Sequence, residues 1–127
     1  MAAKRVLIVD DEPNILVPLE FLMKREGYEV RCAQDGEAGL QAVRDWQPDL
    51  VLLDVMMPKR DGFEVCQAIR AEPTLASVRV VMLTAKGRDA DVARGLALGA
   101  DAYLTKPFAT QDLVQRVREL LQRERAQ

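Results

Sequence analysis

Carboxylates, a hydroxyl and an amine recur in this sequence at the ends of short apolar runs. L-V-L-L at 50–53 runs into Asp54, V-L-I-V at 6–9 into Asp10-Asp11, the run at 78–83 into Thr84, and A-Y-L at 102–104 into Thr105-Lys106-Pro107. An isolated ionised carboxylate is costly to bury, so Asp54 has to be paired, metal-bound or at the surface. Acidic groups held close together raise each other's pKa unless a cation intervenes, and three of them suit a hard octahedral ion that keeps several waters, for which Mg2+ is the natural candidate. With Lys106 opposite, such an ion would neutralise the oxygens of a phosphoryl group and leave an aspartate as in-line nucleophile. On this reading Asp54 is exposed, metal-bound and reactive. The chain has no His, which removes the commonest general base and any Cys/His metal site.

Each residue also has a plainer reading. Asp10-Asp11 before Pro13 could be an acidic helix start, Lys106 a solvated amine and Thr84 a helix cap. What favours chemistry is their shared position, and that depends on the elements between them. Five apolar runs, at 6–9, 28–33, 50–53, 78–83 and 102–104, alternate with helix-length stretches. This pattern predicts an α/β fold with an open parallel sheet, whose strand carboxyl ends line one edge where ligands bind. The first and third runs are continuously apolar, as strands covered on both faces should be. Residues 28–33 alternate more, which points to a position nearer an edge.

Helices follow from period and punctuation. Ile15, Leu19, Leu22 and Met23 form a stripe ended by Gly27, and Leu40, Val43 and Trp46 form another ended before Pro48. Phe63, Cys66 and Ile69 continue the scheme, and Leu113, Val117, Leu120 and Leu121 share one side of the last helix. The helix at 88–98 has little apolar width and is expected to be the most mobile. Pro18 falls about a turn inside the first helix, where it removes a backbone donor at a typical cost of ~3 kcal/mol unless that helix kinks or starts late.

A chain of 127 residues with 49% hydrophobic and 30% charged residues suits one soluble domain over 1–127. Its net charge of −2 is the wrong sign for a nucleic-acid binder, and the N-terminal apolar run is too short for a signal core or a membrane span. A cytoplasmic location is expected. Cys32 and Cys66 lack CxxC spacing and read as buried reduced thiols.

D-D-E at 10–12, D-V-M-M-P-x-x-D-G at 54–62, L-T-A at 83–85 and G-A-D-A-Y-L-T-K-P-F at 99–108 together resemble a response-regulator receiver domain of the chemotaxis-regulator kind. The resemblance implies a flavodoxin-like, doubly wound (βα)5 fold with a five-stranded parallel sheet in the order 2-1-3-4-5. It makes Asp54 the phosphoacceptor for a histidine kinase or phosphotransfer protein in a two-component system. Asp10, Asp11 and Asp54 would bind Mg2+ with the Met56 backbone carbonyl. Thr84 would be the switch hydroxyl, Lys106 the lysine that pairs with the acyl phosphate, Tyr103 the aromatic switch residue and Pro107 the usually cis proline. The implied function is a phosphorylation-dependent switch, not an enzyme, although it promotes its own phosphotransfer and autodephosphorylation.

Output would pass through the surface of the fourth and fifth helices and fifth strand, to a partner protein or a homodimer. Arg94, Asp101, Asp112, Arg116 and Arg123 stand where transcription-factor receivers carry cross-dimer ion pairs, but Ala102 replaces a common aspartate, so one expected pair is missing. The initial Met and the lack of a visible tag favour a stand-alone receiver over the excised first domain of a longer regulator. An Asp-nucleophile phosphatase of the haloacid-dehalogenase type would want a second Asp at the position of Met56. A flavin carrier would want a glycine- and hydroxyl-rich loop where Asp-Asp-Glu stands, which would repel a phosphate.

Overall fold

The computed structural model describes residues 3–57, 59–85 and 89–122. In chain order it contains β1 (Arg5–Val9), α1 (Pro13–Arg25), β2 (Glu29–Ala33), α2 (Gly36–Trp46), β3 (Leu50–Asp54), α3 (Gly62–Ala71), a 3-10 turn at Pro73–Leu75, β4 (Arg79–Ala85), α4 (Asp89–Ala97), β5 (Ala102–Lys106) and α5 (Thr110–Gln122). The strands form one five-stranded sheet in the order β2-β1-β3-β4-β5, and every neighbouring pair is parallel. The flavodoxin-like expectation is met strand for strand.

The continuous apolar runs follow from this arrangement. Alternate side chains of a strand point to opposite faces, and here both faces are covered. Val6, Ile8, Leu50, Leu52, Val81 and Leu83 pack with Leu16, Leu19 and Met23 of α1 and Leu113, Val117 and Leu120 of α5. Leu7, Val9, Val51, Leu53, Val80 and Met82 pack with Leu40, Val43 and Trp46 of α2 and Phe63, Cys66 and Ile69 of α3. Each such aliphatic side chain contributes about 1.5–3 kcal/mol on burial. In β2, at the sheet's margin, only Ala33 is buried.

Local chemistry sets the helix ends. Asp35 caps α2 by accepting from the Ala38 N–H, and Asp61 with Glu64 forms a capping box on α3. Helix α1 starts with Pro13 and continues through Pro18, so it does not start late. Pro18 sits on the exposed side, where its missing N–H deprives the Asn14 carbonyl of its usual donor. In α4 Gly95 is the one buried residue. A single buried position matches its weak apolar stripe, and there the helix approaches the sheet closely enough that a Cβ on Gly95 would lie 2.5 Å from the Met82 sulfur.

The expectation for the cysteines is half met. Both are free, and Cys66 is buried in the sheet–helix core, but Cys32 is exposed because it lies on the margin strand.

Candidate functional site

Parallel pairing brings the expected groups to one edge. Asp10 directly follows β1, Asp54 ends β3, Thr84 lies near the end of β4 and Lys106 ends β5. The register places Thr84 across from Thr105, and Ala85 across from Lys106. Relative exposures are 0% for Asp10, 5% for Asp54 and 2% for Thr84. The exposed Asp54 expected from the sequence is therefore not found. Its carboxylate is buried, and pairing offsets part of that cost.

The pairing group is Lys106. Its ammonium donates to Asp10 Oδ2 and to Asp54 Oδ1, both at 3.0 Å. Asp10 Oδ1 also accepts from the Glu12 backbone N–H at 3.0 Å. No buried side-chain nitrogen or oxygen among the described residues lacks a partner. Burial nevertheless pushes the Asp54 carboxyl up from 3.8 to about 6, with the Asp10 charge adding to the rise and Lys106 opposing it. Burial also disfavours the Lys106 ammonium, but hydrogen bonds and attraction from Asp10 and Asp54 outweigh it, and its pKa is raised.

Asp11 and Glu12 are exposed beside the buried pair, and Asp10, Asp11 and Glu12 each bring a ligand oxygen within 4.8 Å of the others. Lys106 thus faces more carboxylate charge than one ammonium can balance. Hard oxygen donors with excess negative charge, partly open to water, fit a divalent ion such as Mg2+. Glu12 was not singled out from the sequence as a ligand, although the D-D-E run contained the signal.

The remaining expected residues divide. The Thr84 hydroxyl donates along its own strand to the Ala85 carbonyl at 3.0 Å, not to Asp54. Met56 is 61% exposed, Tyr103 is exposed on β5, and the Lys106–Pro107 bond is cis.

Two residues of the expected dimer face are engaged within the chain. Arg94 lies over the Phe63 ring at 4.3 Å, and Asp101 pairs with Arg70 at 2.8 Å and accepts from the Val80 N–H. Arg70 also donates to the Gly99 and Val78 carbonyls, so Asp101 belongs to a network joining α3 to the α4–β5 turn. Asp101 is thus paired within the chain, at a position where the resemblance implies a cross-dimer ion pair. Asp112 and Arg116 are exposed on α5, and Arg123 lies outside the described residues. On the other side of the molecule, Val17 and Phe21 are exposed on α1 beside a cavity of about 320 Å3 that includes Ile15, Pro18, Leu22 and Phe108 in its lining.

The family model for the response regulator receiver domain matches residues 6–118. A response-regulator structure from Chloroflexus aurantiacus J-10-fl is 38% identical, with a TM-score of 0.92 over 96% of this chain and 100% of that one. Chemotaxis protein CheY4 of Vibrio cholerae is 31% identical, with a TM-score of 0.87 over 94% of this chain and 99% of that one. NtrX from Brucella abortus is 28% identical, with a TM-score of 0.87 over 95% of this chain but 27% of its own. Sequence match and strand order agree, and the chain belongs to the response regulator receiver domain family of two-component signalling.

Proposed function

We propose that this chain is a phosphorylation switch in which Asp54 accepts a phosphoryl group from the phosphohistidine of a kinase or phosphotransfer protein. Receiver domains are generally non-enzymatic signalling domains. The observation that carries the reading is the Lys106 ammonium held 3.0 Å from both Asp10 and Asp54 in a buried acidic edge. An Asp54 oxygen forms the new bond to phosphorus while the donor nitrogen–phosphorus bond breaks, and the imidazole leaves with the electron pair. Lys106, already on Asp54, then pairs with a phosphoryl oxygen.

Asp10, Asp11 and Asp54 would hold Mg2+ with the Met56 backbone carbonyl, and Glu12 lies close enough to contribute through its carboxylate. Bound there, the ion supplies positive charge to the phosphoryl oxygens in the transition state. Thr84 exchanges its bond to the Ala85 carbonyl for one to the phosphoryl group, and this biases the α4–β5 surface with Tyr103 toward its active arrangement. Hydrolysis of the acyl phosphate by water ends the signal. The donor docks over the edge, near α1.

The test is fluorine NMR of beryllofluoride, a phosphoryl mimic, with Mg2+. Wild type should show bound resonances and Asp54→Asn none. Bound resonances in Asp54→Asn would defeat the reading. Light scattering on the same samples assigns the output, since a wild-type dimer places it between copies and a monomer places it with another protein.

A further inference from the structure

The loop that follows Asp54 carries Met56 and is held at its base and at its far side. At the base, the Gly62 N–H donates to the Val55 carbonyl at 2.9 Å, and a Cβ on Gly62 would lie 2.5 Å from the Asp54 carbonyl oxygen. At the far side, the loop rests on the start of α2. A Cβ on Gly36 would press into the Arg60 carbonyl oxygen, and would lie 2.6 Å from Arg60 Cβ and 2.7 Å from its carbonyl carbon. The adjacent Asp35 caps α2 through Oδ1, and its Oδ2 meets the Lys59 ammonium at 3.7 Å. Lys59 has a φ of 69°, in the left-handed region that a residue with a Cβ adopts only when its surroundings require it.

We propose that Gly36 is a positioning residue for the phosphoacceptor site: by admitting the Arg60 backbone against α2 it helps to fix residues 59–61 and, with the Gly62–Val55 bond, Met56 beside Asp54. The contact is with backbone, so a methyl group at position 36 cannot be accommodated by a side-chain rotation. Something larger has to move. Leu40, Val43 and Trp46 root α2 in the core, whereas Met56 and Lys59 of the loop are exposed. The loop gives way. The inference rests on the proposed use of the Met56 carbonyl as a metal ligand, and the Asp35–Lys59 pair is a secondary tether of the same loop.

Two readouts on the full chain test it: calorimetric Mg2+ affinity, and amide exchange of residues 55–57 and 59–61 in EDTA. Gly36→Ala should weaken Mg2+ by about tenfold or more, as loss of a support behind a metal ligand typically does, and should speed loop exchange. Gly95→Ala, which strains α4 against Met82, controls for general destabilisation and should change neither. Lys59→Met should shift both readouts in the direction of Gly36→Ala by a smaller factor. Wild-type Mg2+ affinity and loop exchange in Gly36→Ala would overturn the proposal. If that variant fails to fold, unchanged readouts in Lys59→Met overturn it instead. Should wild type bind no Mg2+, the metal reading fails by itself, and loop exchange in EDTA still decides whether Gly36 fixes the loop.

Discussion

Replacing Asp54 with Asn should stabilise the metal-free protein. The folded carboxyl keeps its proton up to about pH 6, whereas in the unfolded chain it gives it up near 3.8. The folded state therefore binds more protons across that window, and stability falls as pH rises through it. At pH 7.5 the full penalty applies and amounts to about 3 kcal/mol; at pH 4.5 the same linkage leaves about 1 kcal/mol. These figures set the ceiling for the gain from Asn, which keeps an oxygen for Lys106 while Asp10 retains the ion pair. Urea unfolding in EDTA at the two pH values measures the gain directly. Added Mg2+ should narrow it at neutral pH by stabilising the wild type more. A variant no more stable than wild type at pH 7.5, or a gain that does not shrink toward pH 4.5, would refute the reasoning.

Lys106→Met removes the partner of two buried carboxylates and should cost about 3 kcal/mol in EDTA, read by urea unfolding near neutral pH, where the ammonium is charged in both states. Arg70→Met breaks the pair to Asp101 and the bonds to the Gly99 and Val78 carbonyls; a loss of about 2–4 kcal/mol is expected in the same assay. Gly95→Ala forces the Met82 sulfur aside and should cost about 1–3 kcal/mol, with Met82→Ala recovering part of it in the double variant. On the proposed function, the exposed Met56, two residues after Asp54, would flank the path of water to the acyl phosphate, and replacing it with Asn should change the decay rate of the phosphorylated protein. Unchanged decay would remove Met56 from that role.

The sheet was legible in the sequence because a strand covered on both faces must be apolar along its covered length, and β1 and β3 are apolar at 6–9 and 50–53. The site was legible because a parallel sheet turns residues far apart in sequence into neighbours whenever each closes a strand. What sequence could not convey was how Asp54 tolerates burial. A lysine 52 positions away partly replaces the lost water as an ion-pair partner, which pattern alone cannot distinguish from exposure. The pairing of Asp101 with Arg70 was equally hidden, since the two residues lie 31 positions apart and nothing in the pattern joins them. For Cys32, the missing CxxC spacing argues for a reduced thiol but says nothing of its burial, and a strand at the sheet's margin exposes residues that an inner strand would cover.

The most direct test of the account is intact-mass spectrometry of the chain after incubation with Mg2+ and phosphoramidate, a small phosphoryl donor. The account predicts one phosphoryl group per wild-type chain, none on Asp54→Asn, and none on the wild type once the Mg2+ is chelated. Stable phosphorylation of Asp54→Asn, or loading of the wild type that ignores Mg2+, would contradict it.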